Sequence, residues 1–119
     1  MQQNSWCMDR NIIMWLCDIL NAVNEIDSYF TENEKRFQIF EKDLKTRRAV
    51  ERNLEIIGEA LHRILKVEAN FPVPHARKIV NVRNKIIHGY DEISNDVIWS
   101  IVVRHSPILR QEIEKILET

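Results

Sequence analysis

Arg83, Asn84, His88 and Tyr90 lie within eight residues of one another, in the stretch Val82-Arg83-Asn84-Lys85-Ile86-Ile87-His88-Gly89-Tyr90. A guanidinium presents a planar fork of donors that matches a phosphate. An imidazole titrates near neutral pH and moves a proton as general acid or base. Together they suit cleavage of RNA without a metal. One group takes the 2′-hydroxyl proton or protonates the leaving oxygen, and the other stabilises charge on the phosphate oxygens. Asn84 reads as an orienting group or a local backbone ligand. Tyr90 reads as a packed ring with its hydroxyl at the surface. An arginine and a histidine at fixed spacing also occur for structural reasons, the histidine then being a helix cap or a core residue. His62, His75 and His105 show no partner pattern and are read as structural.

The elements that must position these residues are helices. Two glycines, Gly58 and Gly89, and three prolines leave little room for hairpins, and apolar residues recur every three or four positions. The chain reads as all α. A first helix is expected over Met8–Phe30, with Ile12, Leu16, Ile19, Val23, Ile26 and Phe30 as its stripe and Ile13 and Leu20 widening it. Trp15 lies off the centre of that stripe. Thr31-Glu32-Asn33-Glu34 has the form of a capping box opening a short helix with Phe37 and Phe40. One long helix is then expected from Phe40 to Glu68 on Leu44, Val50, Leu54, Ile57, Leu61, Ile64 and Leu65. Gly58 inside it costs about 1 kcal/mol relative to alanine, a cost that close approach of another helix would explain. Phe71-Pro72-Val73-Pro74 breaks the helix. The next runs from His75 to His88, with Ile79, Val82, Ile86 and Ile87 inward and Gly89 as its stop. Ser94 or Asn95 caps a last helix over Asp96–Leu117, whose face is Val97, Ile101, Val102, Ile108, Leu109, Ile113 and Ile116. Pro107 should kink that helix or split it.

Composition narrows the class. The 119 residues, 45% hydrophobic and 29% charged, fit a single soluble domain spanning residues 1–119. No apolar run approaches the roughly 18–20 residues of a membrane span. Residues 1–10 lack the features of a secretory signal, so the expected location is cytoplasmic. Cys7 and Cys17 are too far apart on one helix for a disulfide, about 15 Å. They read as reduced, buried or half-buried thiols. Neither a metal site nor a cofactor is expected. The net charge of −1 hides an asymmetry: residues 35–88 carry 13 of 17 Lys/Arg but 6 of 18 Asp/Glu. That basic middle either attracts phosphate or reflects charge-paired helices.

Geometry constrains the chemistry. Residues five apart on a regular helix point about 140° away from each other, so Arg83 and His88 do not share a face. Gly89 could loosen the helix end and let His88 swing across. Alternatively, two chains could pack about a two-fold axis and bring both motifs into one cleft, which is the favoured arrangement.

The motif Arg83-Asn84-x-x-x-His88-x-Tyr90 resembles the RX4HXY motif of the HepT-like toxins, a branch of the HEPN superfamily. The resemblance spans the chain. Residues 47–60, ending Ile57-Gly58-Glu59-Ala60, resemble the family's helix with its IGEA segment. Val97-Ile98-Trp99 followed by Pro107 resembles its last helix. The resemblance implies an antiparallel four- or five-helix HEPN bundle that forms a homodimer. It implies a metal-independent endoribonuclease, the toxin of a type VII toxin–antitoxin module. Arg83 and His88 would be catalytic and Asn84 would assist. The implied partner is an MntA-like minimal nucleotidyltransferase, the antitoxin, which adds AMP to Tyr90 and so closes the cleft to RNA by bulk and charge. The alternative is a non-catalytic dimeric subunit that helps a nucleotidyltransferase bind its substrate. After the tyrosine the chain departs from the family pattern, with Asp91-Glu92-Ile93 bringing two acids beside the site.

Overall fold

A computed structural model describes residues 9–30, 37–73, 75–88 and 94–118. The three- and four-residue apolar spacing becomes helix throughout these residues, and no strand occurs among them. Helix α1 spans Arg10–Ser28 and starts where Asp9 caps it. The Asp9 carboxylate accepts the backbone N–H of Asn11 at 2.8 Å and of Ile12 at 3.4 Å, satisfying two orphan donors of the first turn. Ile12, Leu16, Ile19, Val23 and Ile26 are almost fully buried. The stripe is narrower than expected, because Ile13 is exposed. Cys17 is an exposed free thiol, not a buried one. Cys7 and the Thr31–Glu34 capping box lie outside the described residues.

The short helix expected to carry Phe37 and Phe40 is α2, Phe37–Lys42, and the long helix expected from Phe40 is α3, which starts four residues later and spans Leu44–Val67. Asp43 makes the division. Its backbone is extended, and its carboxylate accepts the Thr46 N–H at 3.2 Å and the Thr46 hydroxyl at 2.7 Å. A short acceptor side chain at this point competes with continued helix and caps the next one. Leu44, expected inward, is exposed in that first turn. Helix α4 spans Ala76–His88. His75 precedes it at φ 61°, a left-handed backbone that costs a non-glycine residue about 1–2 kcal/mol.

The last helix is one run in three parts. Ser94 caps α5, Asn95–Ser100, by accepting the Val97 N–H at 3.3 Å. A π-helical segment follows over Ile101–His105, and then α6 over Ser106–Glu118. Pro107 therefore does not split the helix. Proline lacks an N–H and its ring crowds the carbonyl four residues back, here that of Val103. The wider turn absorbs this, with the Ser106 N–H reaching back five residues to the Ile101 carbonyl. Val97 and Ile108, expected inward, are on the exposed flank, while Ile98 is buried.

The helices pack antiparallel. Asn53, in the first half of α3, is 3% exposed and donates to the Tyr29 hydroxyl at the end of α1, at 2.9 Å, and to the Ala49 carbonyl at 3.1 Å. Arg110 of α6 ion-pairs with Asp27 of α1, and Trp99 of α5 meets Phe30 just past α1. Rising numbers on the last helix thus meet falling numbers on α1. The Trp99 ring also packs on Phe40 at 5.1 Å and Phe37 at 6.3 Å between centroids. No described helix is long and apolar enough to cross a membrane.

Candidate active site

The site begins with a missing side chain. Gly58 sits mid-α3 against α4, and a Cβ there would stand 2.8 Å from Arg83 Cγ and closer still to Arg83 Cβ. It would also lie 3.3 Å from the Ile79 carbonyl oxygen. Only a hydrogen fits. The close approach expected at Gly58 is therefore the seat of the Arg83 stem.

The head of Arg83 is held as firmly. One terminal nitrogen forms an ion pair with Glu59 of α3. The other donates to the Asn84 side-chain oxygen at 2.5 Å. The Arg83 side chain is 18% exposed, and its Nε is buried with no hydrogen-bond partner among the described residues. The second oxygen of Glu59 accepts from Arg63 Nε at 2.8 Å, so one carboxylate stands between two arginines. Glu59 escaped sequence reasoning because it lies 24 positions from Arg83. The available signal was its place beside the unusual interior glycine.

His88 is the last residue of α4 and is exposed. The helix is regular from Ala76 to His88, so His88 remains about 140° around the axis from Arg83. One chain does not put both on a common face. Asn84 and His88, four apart, do share one, and the guanidinium bends toward Asn84. Gly89, Tyr90, Asp91 and Glu92 lie outside the described residues. Ile87, expected inward, is half exposed. It borders an open groove of about 460 Å³ with Trp15, Ile56 and Ala60, lined also by Arg52 and Arg63 and by the acidic Asp18, Glu55 and Glu59. Chemically, the arrangement offers spare guanidinium N–H groups to an anion and an imidazole to a proton.

Elsewhere, His75 and His105, read as structural, have ring centroids 4.4 Å apart. His105 Nδ1 is buried without a partner among the described residues. Burial, and then the charges of His75, Lys78 and Arg104, hold the His105 pKa below its usual range. Among the described residues no three His, Cys, Asp or Glu side chains gather as a metal site.

An all-helical antiparallel bundle whose fourth helix ends in this arginine–histidine motif defines a HEPN-type ribonuclease fold. The chain belongs to the ribonuclease HepT-like family, whose model matches residues 19–116. It is similar to a Methanocaldococcus jannaschii protein named "Putative RNase", 34% identical over 110 residues that cover 92% of this chain and 89% of the relative. A Thermococcus cleftensis protein named "Probable ribonuclease HepT" is 34% identical, with 92% and 98% covered. A Caldanaerobacter subterraneus protein named "Putative RNase" is 36% identical over 84 residues, 69% of this chain and 74% of the relative. No solved structure matches the chain.

Proposed function

We propose that this protein is a metal-independent endoribonuclease whose cleft forms between two copies of the chain. The observation that carries the reading is the seating of Arg83, with its stem in the Gly58 notch and its head held by Glu59 and Asn84. A guanidinium held this way is ready to neutralise a phosphate without first losing side-chain freedom. In the reaction the 2′-oxygen attacks the neighbouring phosphorus and the bond to the 5′-oxygen breaks. The 2′-proton is lost to a base and the 5′-oxygen gains one from an acid. His88 takes one of these roles. The products are a 2′,3′-cyclic phosphate and a 5′-hydroxyl.

The 140° separation of Arg83 and His88 within a chain supports a shared cleft, in which the two subunits bring their motifs together. The exposed Ile87, with Trp15 and Ile56 beside it, supplies apolar side chains for that pairing, in a groove whose other lining is mostly charged. In this reading the chain is a cytoplasmic toxin of a two-gene module. Its antitoxin, an MntA-like minimal nucleotidyltransferase, transfers AMP from ATP to the Tyr90 hydroxyl with release of pyrophosphate, adding bulk and charge that keep RNA out.

Purified protein incubated with RNA in chelator tests the chemistry. Wild type should leave cyclic-phosphate ends, while Arg83→Ala and His88→Ala should each lose on the order of 100-fold or more in rate. Equal product from all three proteins would sink the reading. Co-expression with the nucleotidyltransferase should add AMP mass increments that Tyr90→Phe abolishes. A second reading, a non-catalytic subunit of the nucleotidyltransferase, draws support from Glu59, which neutralises the Arg83 charge. It predicts stable association with that partner and no RNA cleavage.

A further inference from the structure

We infer that Glu59 is a positioning residue for the ribonuclease reaction, aiming the Arg83 guanidinium at the RNA phosphate. The inference rests on the ribonuclease reading of the site. It starts from an apparent contradiction, a carboxylate pressed against the cation that must meet an anion. Fold stability is a weak reason for the pair. The Glu59 side chain is 36% exposed, and exposed ion pairs contribute little. The stem of Arg83 is already fixed by the Gly58 notch.

The donors of the guanidinium tell more. Nε is buried and makes no bond among the described residues, one Nη–H goes to Asn84 and another to Glu59. Each Nη carries a second N–H. Among the described residues two Nη donors therefore remain for a phosphate, on a head tethered at two points. Glu59 is itself tethered, since Arg63 donates to its other oxygen at 2.8 Å. Arg63, Glu59 and Arg83 form a chain that ends at the phosphate-facing donors. The negative charge also weakens ground-state attraction for RNA.

The test is steady-state cleavage of an oligoribonucleotide by wild type, Glu59→Ala, Glu59→Gln, Arg63→Ala and Arg83→Ala, with melting temperatures for each. Glu59→Ala should lose on the order of 100-fold in kcat, the cost of a misplaced catalytic group. Its KM should be unchanged or lower. Glu59→Gln, which keeps an acceptor, should recover part of that loss, and Arg63→Ala should show a smaller loss of the same kind. Wild-type kcat in Glu59→Ala, with Arg83→Ala inactive, would overturn the inference, as would a loss tracking only a lower melting temperature. If wild type itself cleaves nothing, the ribonuclease reading fails separately. Positioning is then read from the Arg83 guanidinium 15N resonances with a phosphodiester oligonucleotide added. Slowly exchanging signals that shift with the oligonucleotide and vanish in Glu59→Ala support it. Their absence from wild type overturns it.

Discussion

Two junctions of this bundle are built on opposite rules. Where α1 gives way toward α2 and meets α5, volume is added: Phe30, Phe37, Phe40 and Trp99 fill the space with rings, the Phe30 and Trp99 centroids 5.5 Å apart. Where α4 crosses α3, volume is removed: Gly58 clears a notch for the Arg83 stem. The first junction is built of ring contacts. Among the described residues, the second leaves a buried Nε without a partner and an arginine with donors to spare. Such a group costs free energy when buried, so its retention points to a use outside folding. The comparison separates what holds the fold from what equips it.

Substitutions at the two junctions should therefore have different consequences. Phe40→Ala should have the largest effect on stability, about 3–5 kcal/mol in denaturant unfolding, because its fully buried ring touches two others. Activity per folded molecule should stay near wild type. Gly58→Ala should reverse the pattern. Overpacking the α3–α4 crossing should cost about 1–3 kcal/mol, while cleavage falls far more than the folded fraction does, since the Arg83 stem is what must move. Wild-type cleavage by folded Gly58→Ala would remove the distinction between the junctions. Asn53→Ala lies between them, and losing its link from α3 to Tyr29 should cost about 1 kcal/mol by the same unfolding measurement.

The smallest effect concerns pH. His105 has its folded pKa lowered by burial and by neighbouring His75, Lys78 and Arg104. The unfolded chain then binds more protons than the folded one between that lowered pKa and the ordinary value of about 6.5. The His105 contribution is therefore complete above the ordinary value and is lost as pH falls through the window below it. A melting-temperature series over that range should slope downward toward acid, less steeply in His105→Gln than in wild type. Identical slopes would disprove the assignment.

Much of this was legible in the chain. Helical periodicity predicted the buried stripe of α1 and most of that of α3, and an interior glycine announced a close helix crossing. The motif from Arg83 to Tyr90 identified which residues to watch. Three things were illegible for physical reasons. Asp43, not Phe40, sets the boundary between α2 and α3 because its side chain prefers Thr46 to the continuing backbone, a local competition that apolar spacing does not report. Ile87 and Val97 are apolar yet exposed, because residue type does not say whether a neighbour covers a face. The pairings of Glu59 with Arg83 and of His75 with His105 join distant segments, and only the packed helices make them neighbours.

The π segment before Pro107 has a consequence for the whole last helix. A widened turn acts as a phase slip in an otherwise periodic rod. Upstream of it, the rod answers to the aromatic junction through Trp99. Downstream, it answers to α1 through Arg110. A uniform α-helix has a single angular phase and would have to compromise between those two neighbours. The residue absorbed at Ile101–His105 frees the two halves from that compromise, by a rotation of about 100° per residue gained or lost. The rod is therefore continuous in its backbone and divided in the surfaces it serves.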